Sequence, residues 1–491
     1  MPVTIDGQSL TLESALAVAE KGEKIRASPS SLKRMEKFRV VLEQKLARGE
    51  IVYGVNTGFG SLSSKAIRLG NLKELQLNLI RSHANGVGDP MPAEVVRAAM
   101  LIRLNSLLKG NSGVRVEIAQ VLLDMINKGV TPLVPEFGSL GASGDLAPSA
   151  HMALTAVGEG KAYYRRRLMD SKRALAASKV RPVVLQAKEG LSLINGTCFT
   201  TALGCTAVNR GRVLLEAADS CVALACEVMG ACSQSFDERL MGVKADAGQD
   251  YVAKRLRTML RDSQRLRPEP VPQDPYSLRC VPQVHGSLKD ALDFAEKVVV
   301  GEMNSVSDNP VLMEDGTVLH GGNFHAQPVA MALDLLAIAL SYLGVISLSR
   351  INLLLSRTPT ETKYMAGRPG LESGLMILQY TATALTADNA KQIYPQSAYP
   401  ASVSGGIEDH ASHGVNAGMK ALAVSRNVAR ILAIELICAS NVLGSDEIGV
   451  SGHSRDVCQV VRARSPLLRG DRSQAEEMEQ LSSAVESGLI P

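Results

Sequence analysis

The sequence predicts an all-α protein, and three observations predict it. Aromatic residues make up 3% of the 491-residue chain and tryptophan is absent, so the core must be built from Leu, Ala, Val, Ile and Met. Sheets enrich aromatic and β-branched residues, whereas this palette suits helix-on-helix packing. Apolar residues also recur at helical spacing, with Leu32, Met35, Leu42 and Leu46 on one side of a helix that Gly49 would end. The most apolar stretch, 329–349, carries Asp334 and several small polar residues, which suits a buried helix of a large bundle rather than a membrane span.

Charge and cysteine usage narrow the function classes. Lys and Arg number 53 against 49 Asp and Glu, a net charge of +4 without a long basic run, so no nucleic-acid partner is implied. Arg165-Arg166-Arg167 reads as a solvated turn. The 8 cysteines form no Cys-x-x-Cys pair. Cys198, Cys205, Cys221, Cys226 and Cys232 lie in apolar helical sequence, where a free thiol behaves as a small hydrophobe. That pattern fits a reducing cytoplasm. The N-terminal residues lack the layout of a signal peptide, so a cytoplasmic location with no membrane partner is expected.

In chain order, residues 1–10 read as a short strand or hairpin turning at Asp6-Gly7, followed by helices at 11–20 and 31–48. Residues 53–60 place three glycines around Tyr53 without an apolar period. The spacing is not Gly-x-Gly-x-x-Gly, so a mobile lid carrying Tyr53 is expected rather than a nucleotide loop. A helix over 71–83 ends in Ser82-His83, where a histidine is a favourable C-terminal residue. Helices follow at 92–109, opened by Pro92 and closed by Gly110, and at 113–128. Residues 131–144 are rich in Pro and Gly, and Asp145 then reads as the N-cap of a helix to about 157. Residues 160–190 read as a polar surface excursion. Asn195 reads as the N-cap of a long apolar helix to about 233. The segment 265–284 breaks helix again and carries Gln273, Tyr276 and Arg279 among its prolines. Helices are expected at 287–301, 328–355, 371–389 and 409–441, with a helical, charged tail over 450–491. His320, His325, His410 and His413 have no acidic or cysteine partner at ligand spacing, so no metal site is expected.

One stretch stands apart: Gly138-Ser139-Leu140-Gly141-Ala142-Ser143-Gly144-Asp145-Leu146-Ala147-Pro148. Gly144 has no side chain to block its amide nitrogen from attacking the carbonyl of Ala142. Loss of one water closes a five-membered ring, and loss of a second from Ser143 leaves an exocyclic alkene. The product is an electrophile made from the backbone itself. At a helix N-terminus, partial positive charge would stabilise negative charge developing on its oxygen.

Residues 138–151 resemble the signature of the aromatic amino acid ammonia-lyases, and further likeness runs through 53–60, 191–197, 273–279, 304–310 and 405–410. The resemblance implies one chain of long helices of the ammonia-lyase and fumarase-like type. A small irregular N-terminal part (1–200) would bear the site, followed by a central bundle (201–445) and a C-terminal helical tail (446–491). It implies that Ala142, Ser143 and Gly144 form 4-methylidene-imidazol-5-one (MIO) autocatalytically, with no external cofactor. Tyr53 is then the candidate base, with Tyr276 in support, and Arg279 the clamp for the substrate carboxylate, since guanidinium and carboxylate match in two-pronged geometry. His83, Asn195, Gln273, Asn309, Phe324 and Glu408 complete the expected substrate-binding set. The partner expected is a small amino acid, and the assembly a homotetramer with each active site shared between subunits.

Substrate choice is expected to rest on His83 and Glu408, because a buried imidazole needs partners for both nitrogens. Histidine-specific members of the family read Gln-Glu-Asp-His at 407–410, and phenylalanine-specific members have glutamine in place of Glu408. This chain departs from both at Ile407. The expected reaction is elimination of ammonia from L-histidine to give trans-urocanate. The alternatives are a tyrosine or phenylalanine ammonia-lyase, an aminomutase using the same group, and an inactive helical scaffold.

Overall fold

Helices carry most of the chain, in a computed structural model that describes residues 2–356 and 363–491. Two units can be distinguished. The first comprises Met1–Thr206, Ala295–Leu333 and Pro395–Met419, and the second Ala207–Phe294, Asp334–Tyr394 and Lys420–Pro491. The longest helices are Cys198–Met229, Val281–Met303, Gln327–Ser356 and Gly414–Leu443. Gln327–Ser356 is long and apolar enough to cross a membrane, and 72% of its most apolar window is buried inside the molecule.

In the first unit, small residues let helices approach closely. A Cβ on Gly418 would stand 2.6 Å from the Cβ of Leu203, and one on Gly204 2.7 Å from Val299. A side cluster of Phe38, Leu42, Leu46, Val52, Val55 and Leu72 fills the space beneath the segment that carries Tyr53. In the second unit, Val222, Cys226, Leu256, Leu278, Val281 and Ile346 belong to one buried cluster. Two polar groups cross that apolar interior. Arg350 grips Glu435 through Nε and Nη2 at 2.6 and 2.9 Å, and Asp219 accepts from His285 Nδ1 and Arg255 Nε, both at 2.8 Å.

The small sheets refine several expectations. Val3–Ile5 pairs in parallel with Ile25–Ala27 across a helix, not with a hairpin partner, although Asp6 Oδ1 does close a turn by accepting from Gln8 and Ser9. Residues 160–190 are not a loose excursion. Lys161–Tyr164 joins Val130–Pro132 and Arg167–Asp170 in a three-stranded sheet, and helices Ser171–Ser178 and Glu189–Ile194 follow. Arg165 and Arg166 form the hairpin tip, both with positive φ. The long apolar helix ends at Met229, and the helix expected from 287 starts at Val281. The one expected from 409 starts only at Gly414, because Ser412 and His413 give their amides to the backbone ahead of the triplet instead.

Candidate active site

The triplet Ala142-Ser143-Gly144 is clamped at both ends. Upstream, Gly141 O accepts from Ser412 N at 3.2 Å and Leu140 O from His413 N at 3.1 Å. Downstream, Asp145 N donates to Gly196 O at 2.7 Å. Gly144 takes φ +79 and runs parallel to Gly196, so a Cβ there would overlap the Gly196 carbonyl. Asn195 Nδ2 donates to Ser143 O at 3.0 Å. Asn195 is therefore no N-cap: it closes helix Glu189–Ile194 and turns its amide onto the triplet. Asp145 does precede helix Leu146–Val157, but its side chain does not cap that helix. Its carboxylate instead accepts from Thr200 N and Oγ1, both at 2.8 Å, and so caps the start of Cys198–Met229. Burial pushes its carboxyl above the usual carboxylate range, and the Thr200 bonds oppose that shift.

Around the triplet lies a cavity of about 670 Å³ whose walls include Tyr53, His83, Ala142, Ser143, Asn195, Asn309, Phe324 and Glu408. These residues lie far apart in sequence, and a buried amide helps gather them. Gln76 Nε2 donates to Gly54 O at 3.2 Å while its Oε1 accepts from Leu191 N at 3.0 Å. One side chain thus joins the Tyr53 segment, the helix Leu72–His83 and the helix leading to Asn195. Asp308 performs the same service for the loop 304–310, accepting from Lys188 Nζ at 2.8 Å and Ser192 Oγ at 2.9 Å.

The individual side chains are set as follows. Tyr53 Oη accepts from Gly60 N at 3.1 Å, and its ring stands edge-on to His320 at 6.1 Å. Its segment folds on itself: Val52 N donates to Asn56 Oδ1, and Gly54 N to Thr57 Oγ1. His83 Nδ1 lies 2.7 Å from Leu79 O, which can only accept, so Nδ1 carries a proton. Asn309 Oδ1 accepts from Gly321 N at 3.0 Å, which shapes the Gly321-Gly322 wall. Glu408 sits in a short loop closed by Val403 N donating to its carbonyl at 2.9 Å. Ile407 also lines the cavity.

Gln273, Tyr276 and Arg279 belong to the second unit and do not line this cavity. Arg279 stacks over the Tyr276 ring at 4.6 Å, and Tyr276 is 69% exposed. Gln273 and Arg279 border a separate hollow of about 700 Å³ with Asp237 and Asp274.

Gln76 has no signal that would single it out in the sequence, which marks His325 and His410 only as histidines without a metal-ligand set. His325 and His410 stack at 5.4 Å in the cavity wall. Burial holds His325 below its ordinary pKa, and a hydrogen bond to the His410 backbone opposes that shift. Among the described residues, no group of three or more His, Cys, Asp or Glu side chains could hold a metal ion. For the self-made MIO group the residues present do fit: Gly144 tolerates no side chain, both flanks are fixed, and Asn195 addresses the Ser143 oxygen.

The family model described as aromatic amino acid lyase matches residues 10–463. A histidine ammonia-lyase of Caldanaerobacter subterraneus subsp. tengcongensis is 40% identical over 99% of this chain and 97% of its own length. The crystal structure of histidine ammonia-lyase from Trypanosoma cruzi superposes with a TM-score of 0.92 at 38% identity, covering 100% of this chain and 94% of that one. Tyrosine aminomutase from Streptomyces globisporus gives 0.95 at 34% identity, over 100% and 98%. A chain that shares so much sequence over nearly its whole length, and the family's signature along most of it, belongs to the aromatic amino acid lyase family.

Proposed function

We propose that this protein eliminates ammonia from L-histidine to give trans-urocanate. One observation carries the reading: a single cavity is lined by Ala142 and Ser143 together with His83 and Glu408, two partners suited to an imidazole. The MIO group formed from Ala142, Ser143 and Gly144 would supply an electrophile that takes up the free amine and makes it a better leaving group, with no external cofactor. The chain's own residues do the rest. Asn195 Nδ2 addresses the oxygen on which negative charge develops. Tyr53, whose oxygen is steered by Gly60 N, takes the β-proton. His83 Nε2 accepts from the substrate ring, and Glu408 engages its other side. Asn309 and Phe324 shape the wall. A phenyl ring would leave Glu408 desolvated and unpaired, and such sites reject the analogue by about 10⁴ or more.

The carboxylate clamp is the remaining requirement. Arg279, with Gln273 and Tyr276, is proposed to serve the cavity of a neighbouring copy, in a cytoplasmic homotetramer with shared sites. The exposure of Tyr276 supports that arrangement.

Incubation with L-histidine, L-phenylalanine and L-tyrosine in parallel tests the reading. Ultraviolet absorbance of urocanate is expected from histidine alone, and turnover of the phenyl substrates with histidine inert would overturn it. A second reading, return of the amine to the β-carbon, is favoured by the likeness to the Streptomyces globisporus tyrosine aminomutase. Chromatography for a β-amino acid product separates the two.

A further inference from the structure

Arg103 has no exposed surface, and it is among the largest side chains wholly inside the protein. An ionised guanidinium withdrawn from water is costly unless carboxylates or carbonyls satisfy it. Here Nε and Nη1 have no hydrogen-bond partner, and Nη2 reaches only the Cys198 thiol at 3.8 Å. The charge it meets at Lys188 is of its own sign and lowers the Lys188 pKa further. Helix packing alone would be served better by an apolar residue, so the charge itself calls for an account.

Its position supplies one. A Cβ on Gly196 would stand 2.5 Å from Arg103 Nη2 and 2.5 Å from Ser307 Oγ, so the guanidinium presses against the Gly196 backbone. The other side of that same backbone pairs with Gly144, and Gly196 O accepts from Asp145 N. The preceding residue, Asn195, gives its amide to Ser143 O. Arg103 therefore lies one peptide layer behind the reactive turn, in a dry interior where a fixed charge acts with little screening.

We propose that Arg103 is a positioning residue: it backs the Asn195–Gly196 peptide against the turn 142–144, and its fixed positive charge favours negative charge on the Ser143 oxygen. The inference rests on the electrophile reading of that turn. It assigns Arg103 no contact with substrate.

The test separates the two ideas by intact mass and by trapping. The wild-type chain should weigh two waters less than its sequence. Cyanide should then add to the electron-poor alkene. The new carbon–carbon bond forms at the carbon derived from Ser143 Cβ, the alkene electron pair moves towards the Ser143 oxygen, and the ring carbon takes a proton from water, so the chain gains the mass of hydrogen cyanide. Arg103→Met, if folded and closed, should trap cyanide at least about tenfold more slowly, the scale on which one buried unit charge acts at an effective dielectric near 20. Its kcat on histidine should fall by a similar factor with KM little changed, and Arg103→Lys should recover most of the trapping rate. A folded Arg103→Met chain that retains both waters also supports the role, because the turn has then not closed. If Arg103→Met does not fold, Arg103→Gln takes its place. A folded, closed, uncharged variant that traps cyanide at the wild-type rate overturns the proposal. A wild-type chain that has lost no water overturns the electrophile reading instead.

Discussion

Gly144, Asn195 and Glu408 each make a demand that one substitution can test. Gly144 combines φ +79 with a backbone neighbour that leaves no room for a methyl group. Gly144→Ala should abolish the two-water mass deficit and lower turnover by at least about a thousandfold, since removing a single donor to the developing charge already costs 10²–10³. Asn195→Ala removes only that donor, so its mass deficit should persist while kcat falls by about 10²–10³. Glu408→Gln should reduce kcat/KM for histidine, and undiminished turnover would remove Glu408 from substrate recognition. At this scale much was legible. The Ala-Ser-Gly triplet, His83, Asn195 and Glu408 are named by motif, and all but Gly144 border one cavity, with Gly144 next in chain to Ser143. Gln76 was not legible, because a lone glutamine on an amphipathic helix gives no hint that it bonds residues 22 and 115 positions away. Arg103 escaped notice for the same reason.

Among the elements, helix ends proved the least readable feature. Asp145 sits where an N-cap belongs, yet its carboxylate serves Thr200, 55 residues away. Local pattern cannot distinguish a residue that caps its own helix from one that caps a neighbour brought up by folding. Asp145→Ala should leave the buried Thr200 N–H unsatisfied and destabilise the chain by about 1–3 kcal/mol, read as a lower Tm. Asp145→Asn keeps an acceptor and should lose less. The start at Gly414 has a similar origin. Ser412 and His413 have helical neighbours in sequence but bond to Gly141 and Leu140, and Asp409 and His410 just ahead of them line the cavity wall. Within the Tyr53 segment, Val52 and Val55 are buried while Tyr53, Phe59 and Gly60 reach the cavity.

For the molecule as a whole, buried charge and titration set the limits of stability. Arg350 and Glu435 are fully buried. Glu435→Gln should cost about 3–5 kcal/mol because it strands the guanidinium, whereas a double replacement by apolar residues of similar volume should recover most of that loss in denaturant titrations. Burial holds His151, His285, His325, His413 and His453 below their ordinary pKa. The unfolded chain therefore binds those protons first as the pH falls. Stability is complete above about pH 6.5 and declines below it, so Tm should drop on acidification. At the alkaline end the sign reverses in origin. Burial pushes Cys205 up to about 12 and Cys458 up to about 11, so unfolded thiols ionise first and Tm should fall again above about pH 8.5. A melting curve that is flat from pH 5 to 10 would contradict both arguments.

The sequence by itself determined the helical class and the family, and it marked the Ala142-Ser143-Gly144 triplet. Composition, apolar period and an unusually long motif are local properties that survive without coordinates. Only the tertiary structure decided which carboxylate caps which helix and which amide faces the Ser143 oxygen. Those outcomes depend on pairs far apart in the chain, and a hydrogen bond or a buried charge has meaning only once folding has chosen its neighbours.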